Sequence, residues 1–312
     1  MFDIKTKYLP LRRNNQLKEF MKIIYRSLFI CITFFSLLPG AKAQDSTKSN
    51  EPDKSYFEAG LSYLSNDVYL GRHDSLKIPY LTPSFNYYNK SGWYAGASLS
   101  YLVSAGNSRA DLVEIEAGYA FTMNKFSGIL SAEKDFYNNQ SKNVRAETKG
   151  SLNATLSYDF GFIKPVAQGG IAFNTTDDYY AAFGIGHSFF FMDDNFEINP
   201  SFLINAGTQN YYSSYYAKRK FKTKKKNQAV PSIKAYLPNA SEFKIMDYEF
   251  SMPVGYSWGK FIFDITPALS LPVNPNVLVI TVTQPSGSSA TREKTESLSN
   301  IFFWSAGITY TF

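Results

Sequence analysis

The 312-residue chain has a single cysteine, two histidines, and no apolar run long enough to cross a bilayer as a helix. One cysteine excludes an internal disulfide, and a cysteine metal cluster with it. Cys31 lies inside an apolar stretch, between Ile30 and Ile32, so the small residue and abrupt core end of a lipoprotein signal are missing. Two histidines, His73 and His187, leave little for histidine-based metal binding or catalysis. A spanning helix needs about 20 consecutive apolar residues. The longest candidate, SLFICITFFSLL at 27–38, is too short and ends at Pro39-Gly40. Net charge is low where it matters. The formal +6 (32 Lys and Arg, 26 Asp and Glu) resides in the first 43 residues, and downstream the signs balance. Nucleic-acid binding thus loses its compositional basis.

The short apolar stretch has another use. Met21-Lys22 and Arg26 give a basic start, 27–38 an apolar core, and Ala41-Lys42-Ala43 a cleavage site before Gln44. That is an export signal over 21–43. Residues 1–20 then read as an upstream extension from a mis-set start, and 44–55 (QDSTKSNEPDKS) as a polar, flexible periplasmic lead-in.

What the chain does have is aromatic side chains, 17% of all residues, distributed by alternation. At the C-terminus, NIFFWSAGITYTF puts Phe302, Trp304, Ala306, Ile308, Tyr310 and Phe312 on one face. Small or polar residues mostly fill the other, which is a strand with one apolar face. This segment, ending on Phe312, resembles the terminal strand of Gram-negative outer-membrane β-barrel proteins. The resemblance implies a barrel whose last strand is read by the outer-membrane assembly machinery, with Trp304, Tyr310 and Phe312 at the closing seam.

Residues 56–312 divide into twelve strand-like segments: 56–65, 78–88, 93–103, 110–121, 126–137, 148–160, 165–173, 179–191, 196–207, 244–256, 261–271 and 300–312. Their connections alternate. Those at 89–92, 122–125, 161–164, 192–195 and 257–260 are short, whereas 66–77, 208–243 and 272–299 are long. Short turns on one side and long loops on the other predict an all-β, up-and-down antiparallel transmembrane barrel with periplasmic turns and extracellular loops. Both termini are then periplasmic, in the outer membrane of a Gram-negative bacterium. Prolines 79, 83, 165, 200, 253 and 267 each remove a ladder donor, and 276–283 (NVLVITVT) also reads as strand. Fourteen strands is therefore the alternative count, with a hairpin extending above the membrane. Aromatic girdles are expected from Trp93, Phe189, Trp258, Trp304 and Phe312 beside the short turns, and from Tyr179 and Tyr211 towards the long loops.

Charge facing lipid is costly, about 2–4 kcal/mol for a cation at mid-membrane. The charged parity must face inward. It comprises Glu58, Glu114, Glu116, Glu133, Asp135, Asp159, Glu197, Asp247, Glu249 and Asp264, against Lys149 with Arg145 above it. An acidic lumen concentrates cations. The candidate selectivity residues are Glu114, Glu116, Asp159, Asp247, Glu249 and Asp264. The balancing cations, Lys218, Arg219, Lys220, Lys222, Lys224, Lys225 and Lys226, crowd into one outer loop. This run either enters the mouth and constricts it, contacts lipopolysaccharide phosphates with Tyr211, Tyr212, Tyr215 and Tyr216 at its base, or stays solvated.

The sequence thus predicts a porin-like channel for passive diffusion of small polar or cationic solutes, in contact with outer-membrane lipid. Two alternatives remain: a lipid-modifying barrel enzyme, and a structural or adhesion barrel with a closed interior. His187-Ser188 is similar to the catalytic pair of outer-membrane phospholipases. However, adjacent strand residues point to opposite faces, and Phe189 occupies the position where that family's serine would sit. No catalytic residue, metal site or cofactor motif is assigned.

Overall fold

The computed structural model describes residues 54–218 and 231–312. The export signal, the upstream extension, most of the lead-in and the cations from Arg219 to Lys226 lie outside the described residues. Strands β1 (Tyr56–Leu64), β2 (Tyr80–Tyr88), β3 (Trp93–Leu102), β4 (Arg109–Met123), β5 (Phe126–Tyr137), β6 (Gly150–Tyr158), β7 (Lys164–Ala172) and β8 (Asp178–Gly186) pair in succession. The next two staves are each broken once, as β9 (Phe189–Phe191) continuing β8, and β10 (Phe196–Ile198) with β11 (Ser201–Gly207). Helix α1 (Asn210–Lys218) and β12 (Ser232–Tyr236) follow outside the ring. The ring resumes with β13 (Lys244–Ser251) and β14 (Val254–Trp258), then β15 (Phe261–Pro272). After β16 (Val277–Thr283) and β17 (Ser289–Thr295), β18 (Ile301–Thr311) completes it.

The ring closes on itself. Strand β18 lies between β15 and β1, with Leu61 opposite Ile308 and Glu58 opposite Thr311. Counting each broken stave once gives twelve antiparallel staves, the predicted number. The turns at 89–92 and 192–195 fall where the alternation puts them; that between β4 and β5 shortens to Asn124-Lys125. Segment 276–283 is a strand outside the ring, in a three-stranded sheet ordered β12-β16-β17.

The breaks follow the chemistry of proline. Asn199-Pro200 separates β10 from β11 and Met252-Pro253 separates β13 from β14, while Pro267 lies beside them in β15. The register is unchanged across each break, and backbone bonds from Asn199 to Pro253 and from Met252 to Pro267 bridge the gaps at 2.8 and 3.1 Å. Missing donors thus crease the wall along one line without shifting any strand. Pro83 acts similarly: β2 pairing with β3 lapses at Thr82 and Pro83, then resumes in register at Ser84.

The outer wall is apolar and uncovered, with Phe85 52%, Ile115 50%, Phe183 61% and Phe302 62% exposed. Side chains of this size gain roughly 1.5–3 kcal/mol each when removed from water. Such a continuous belt is the face a barrel turns to lipid. No helix among the described residues is long and apolar enough to cross a membrane; the strands do the crossing. Trp93, Trp258 and Phe312 stand exposed at the short-turn end, as expected of a girdle.

Two expectations need correction. Trp304 lies towards the loop end, opposite Pro267 and 5.3 Å from the Tyr63 ring, because β18 enters from that end. Tyr211 is not an interfacial residue; only 1% exposed, it sits in a packed core built by the outer loops. Lys149 is exposed, with its carbonyl accepting from the Asp135 N–H at 3.1 Å.

Candidate functional site

The inner wall encloses a cavity of about 390 Å³. Its carboxylates are Asp67, from the loop after β1, and Glu58, Glu114, Glu116 and Glu133, these four on the inward parity of β1, β4 and β5. Glu114 and Glu133, with the nearly buried Asp135, bring carboxylate oxygens within 4.8 Å of one another. Like charges this close are costly unless solvated or balanced. Arg145, from the loop after β5, lines the same cavity. The rest of the wall is rich in hydroxyl and amide groups. Tyr94 Oη donates to Glu116 at 2.6 Å, Ser151 Oγ to Glu133 at 2.8 Å, and Asn153 Nδ2 to Glu133 at 3.0 Å. These bonds hold carboxylate side chains against the wall in fixed positions.

Of the other acidic candidates, Asp247 and Glu249 are 0% and 3% exposed and are not among the residues lining the cavity. Asp159 sits at a turn, where its carboxylate accepts from the Gly161 N–H at 2.6 Å. Asp264 is half-buried on β15, opposite Gly307, where any larger side chain would strike its carboxylate. Glu197 is half-buried on the short strand β10. Alternation alone does not separate the four glutamates that line the cavity from the buried Asp247 and Glu249.

Loops cap the cavity at one end. Val68, Asn143 and Arg145 line it, while their chain neighbours Tyr69, Leu70 and Val144 belong to a buried cluster with Tyr211, Tyr212, Leu237, Met246 and Leu278. The loops at 65–79 and 138–149 therefore form a partition, with one side facing the lumen and the other facing an outer core. Polar bonds pin it. Asn143 Nδ2 donates to Asp67 at 2.6 Å, and Asp111 accepts from Tyr80 Oη at 2.6 Å, Ser141 Oγ at 2.7 Å and Arg109 Nε at 2.7 Å. The Arg145 guanidinium lies 4.9 Å from the centre of the Tyr69 ring, a cation–π contact between the two loops.

Helix α1 lies where the sequence predicts an outer loop. Its tyrosines, at 211, 212, 215 and 216, recur at the spacing of one helical face. Its start is held from outside the segment: Asp178 on β8 accepts the N–H groups of Asn210 and Tyr211, both at 2.7 Å, and the Thr208 hydroxyl at 2.7 Å. A carboxylate at the N-terminus and Lys218 at the last turn both suit the helix dipole; Lys218 pairs with Glu147 of the partition loop. Burial pushes the Tyr212 phenol well above its ordinary range, reinforced by nearby Glu296, so it remains a neutral donor to Glu296 at 3.0 Å.

A second cavity, of about 420 Å³, lies on the far side of the partition between α1, the loop at 65–79 and the β16–β17 hairpin. It shares no lining residue with the first.

The terminal aromatics gather at the seam. Tyr310 pairs with Ala59 and its ring lies 4.9 Å from that of Phe261; the Phe312 N–H donates to Phe57 at 2.9 Å. The His187 ring packs edge-on against Phe189 at 4.4 Å, beside the break between β8 and β9.

No known family model matches the sequence, and no curated protein matches it. Among solved structures, the chain is similar to a KdgM porin at 9% identity, covering 83% of this chain and 99% of that one with a TM-score of 0.41. It is also similar to a NanC porin at 10% identity, covering 81% and 98% with a TM-score of 0.43. OccK8 (OprE) of Pseudomonas aeruginosa matches at 9% identity, covering 83% and 98% with a TM-score of 0.28.

Proposed function

We propose that this barrel is an outer-membrane, porin-like channel that passes small polar or cationic solutes through an acidic lumen by passive diffusion. The observation that carries the reading is the convergence of Glu58, Glu114, Glu116 and Glu133 on one internal cavity. Fixed carboxylates behind a low-dielectric wall raise local cation concentration and repel anions. The hydroxyl and amide lining offers hydrogen bonds to a solute leaving its water shell. No covalent chemistry is assigned, and the protein acts as a transporter rather than an enzyme.

The constriction in this reading is the partition of loops 65–79 and 138–149, with Arg145 as its cation facing the lumen. Lys218 is held by Glu147, and the rest of the basic run, Arg219 to Lys226, is assigned to lipopolysaccharide phosphates, where clustered Lys and Arg make charge-assisted contacts. The termini are periplasmic, and the C-terminal strand engages the assembly machinery.

The test is a reversal-potential measurement in planar bilayers under a potassium chloride gradient. The purified protein should prefer cations. A Glu114→Gln, Glu116→Gln, Glu133→Gln variant should move the potential towards zero; an unshifted potential removes the acidic-lumen role. A barrel that never conducts, even with the partition loops loosened, would favour the closed structural barrel instead.

A further inference from the structure

Four side chains meet on the inner face of the barrel, away from the cavity of the proposed pathway. Asn205 on β11 stands directly opposite Asp247 on β13, and Glu249 on β13 stands directly opposite Ser270 on β15. Opposed residues of antiparallel strands send their side chains to the same face, with Cβ atoms about 4.5–5.5 Å apart. The diagonal is closed as well, since Asn205 Nδ2 reaches Glu249 Oε2 at 3.5 Å. All four are buried: Asn205 is 6% exposed, Asp247 0%, Glu249 3% and Ser270 0%.

Two features mark this patch. First, Ser270 Oγ has no hydrogen-bond partner although its residue is fully buried. A hydroxyl in that state is destabilising, and it sits beside Glu249 on the inward face. Second, the ladder between β11 and β13 slips by one residue between Asn205 and Ala206. Met246 is the extra residue at the slip and packs into the outer core, while Asp247 stays opposite Asn205; each is 0% exposed. Bulges commonly re-aim a side chain in this way.

We propose that Asp247, Glu249, the Asn205 side-chain carbonyl and Ser270 Oγ bind a divalent cation of the calcium type. The donor atoms are all oxygen, the preference of hard cations, with none of the nitrogen or sulfur that would favour zinc or copper. Two carboxylates match a double positive charge. Calcium accepts irregular oxygen cages, whereas magnesium demands near-ideal octahedral geometry and keeps several waters. The bound ion ties β11, β13 and β15 together just beyond the proline crease, and gives the Ser270 oxygen a partner.

The test uses the full chain refolded in detergent, stripped with a chelator, then titrated with calcium, with terbium luminescence excited through tyrosine as a direct probe. Calcium should raise the melting temperature, and terbium should give a saturable signal that calcium displaces. Ser270→Ala removes one neutral ligand and should retain the fold while weakening calcium by about tenfold, the scale of loss when a site's supporting groups change. Glu249→Gln should abolish the thermal shift. A Glu114→Gln, Glu133→Gln variant should leave both signals intact. The proposal is overturned if the wild type shows neither response, if Ser270→Ala and Glu249→Gln bind as the wild type does, or if only the Glu114 and Glu133 variant loses binding. Should Glu249→Gln not fold, Ser270→Ala and Asn205→Ala decide the question on the same readouts.

Discussion

Arg72 and Glu296 meet at 3.1 Å, one on the first outer loop and the other just past β17 in the last, with side chains 1% and 12% exposed. Arg72 also donates to the carbonyls of Gly71 at 3.2 Å and Asn274 at 3.1 Å, and Glu296 accepts from Asn276 Nδ2 at 3.1 Å. The pair fastens the two ends of the loop cap across the barrel mouth. Glu296→Ala would strand a buried guanidinium, a change that costs about 3–5 kcal/mol. We expect a lower melting temperature, faster proteolysis of the outer loops and larger single-channel currents. Stability equal to the wild type would show the pair is idle.

Asp111 gathers three donors, two from strands β2 and β4 and one from the loop at 138–149, so its loss should free the partition. Asp111→Ala should cost roughly 3 kcal/mol or more, since hydrogen bonds to charged groups contribute about 1.5–3 kcal/mol each. Denaturant melts of the refolded protein measure this, and conductance reports whether the loop at 138–149 has moved. Asp111→Asn, which keeps the shape and some of the bonds, should fall between.

Gly118 lies beneath Tyr94, the residue that holds Glu116. A methyl group there would stand 2.5 Å from the Leu130 carbonyl oxygen and 2.6 Å from Tyr94 Oη. Gly118→Ala should therefore displace Tyr94, costing about 1–3 kcal/mol and altering ion selectivity through Glu116. Gly255, with nothing within 4 Å of the same position, is the control. Equal melting temperatures for the two alanine variants would refute the packing argument.

Helix α1 depends on an acid supplied by a different strand. Asp178→Ala should leave its first N–H groups without acceptors, at about 0.5–2 kcal/mol, the usual worth of such a cap. Amide exchange in 210–218 should speed up while β1 to β6 stay protected. Uniform protection would mean that tyrosine packing alone holds the helix.

The barrel was legible because its signal is local: a period of two, with turns such as 89–92 placed by breaks in that period. What was hidden depends on residues far apart in sequence. Helix α1 carries no acid of its own near its start, and Asp178 lies some thirty positions upstream. The tyrosine spacing at 211, 212, 215 and 216 was the available signal, masked by the polar residues around it. Asp247 and Glu249 lie on the parity that the alternation turns inward, but a period of two carries no information on burial, and they are 0% and 3% exposed. Trp304 was assigned to the wrong end because its nearness to the C-terminus outweighed the direction in which β18 runs.

Strand β1 finds its second partner only in β18, as the pairing of Leu61 with Ile308 records. A ribbon whose opening edge must wait for its closing edge cannot finish while it is still being made. Until translation delivers the last stave, both rims carry unanswered amide and carbonyl groups that oil will not accept. The unfinished hoop therefore stays out of the hydrocarbon until its two rims have met.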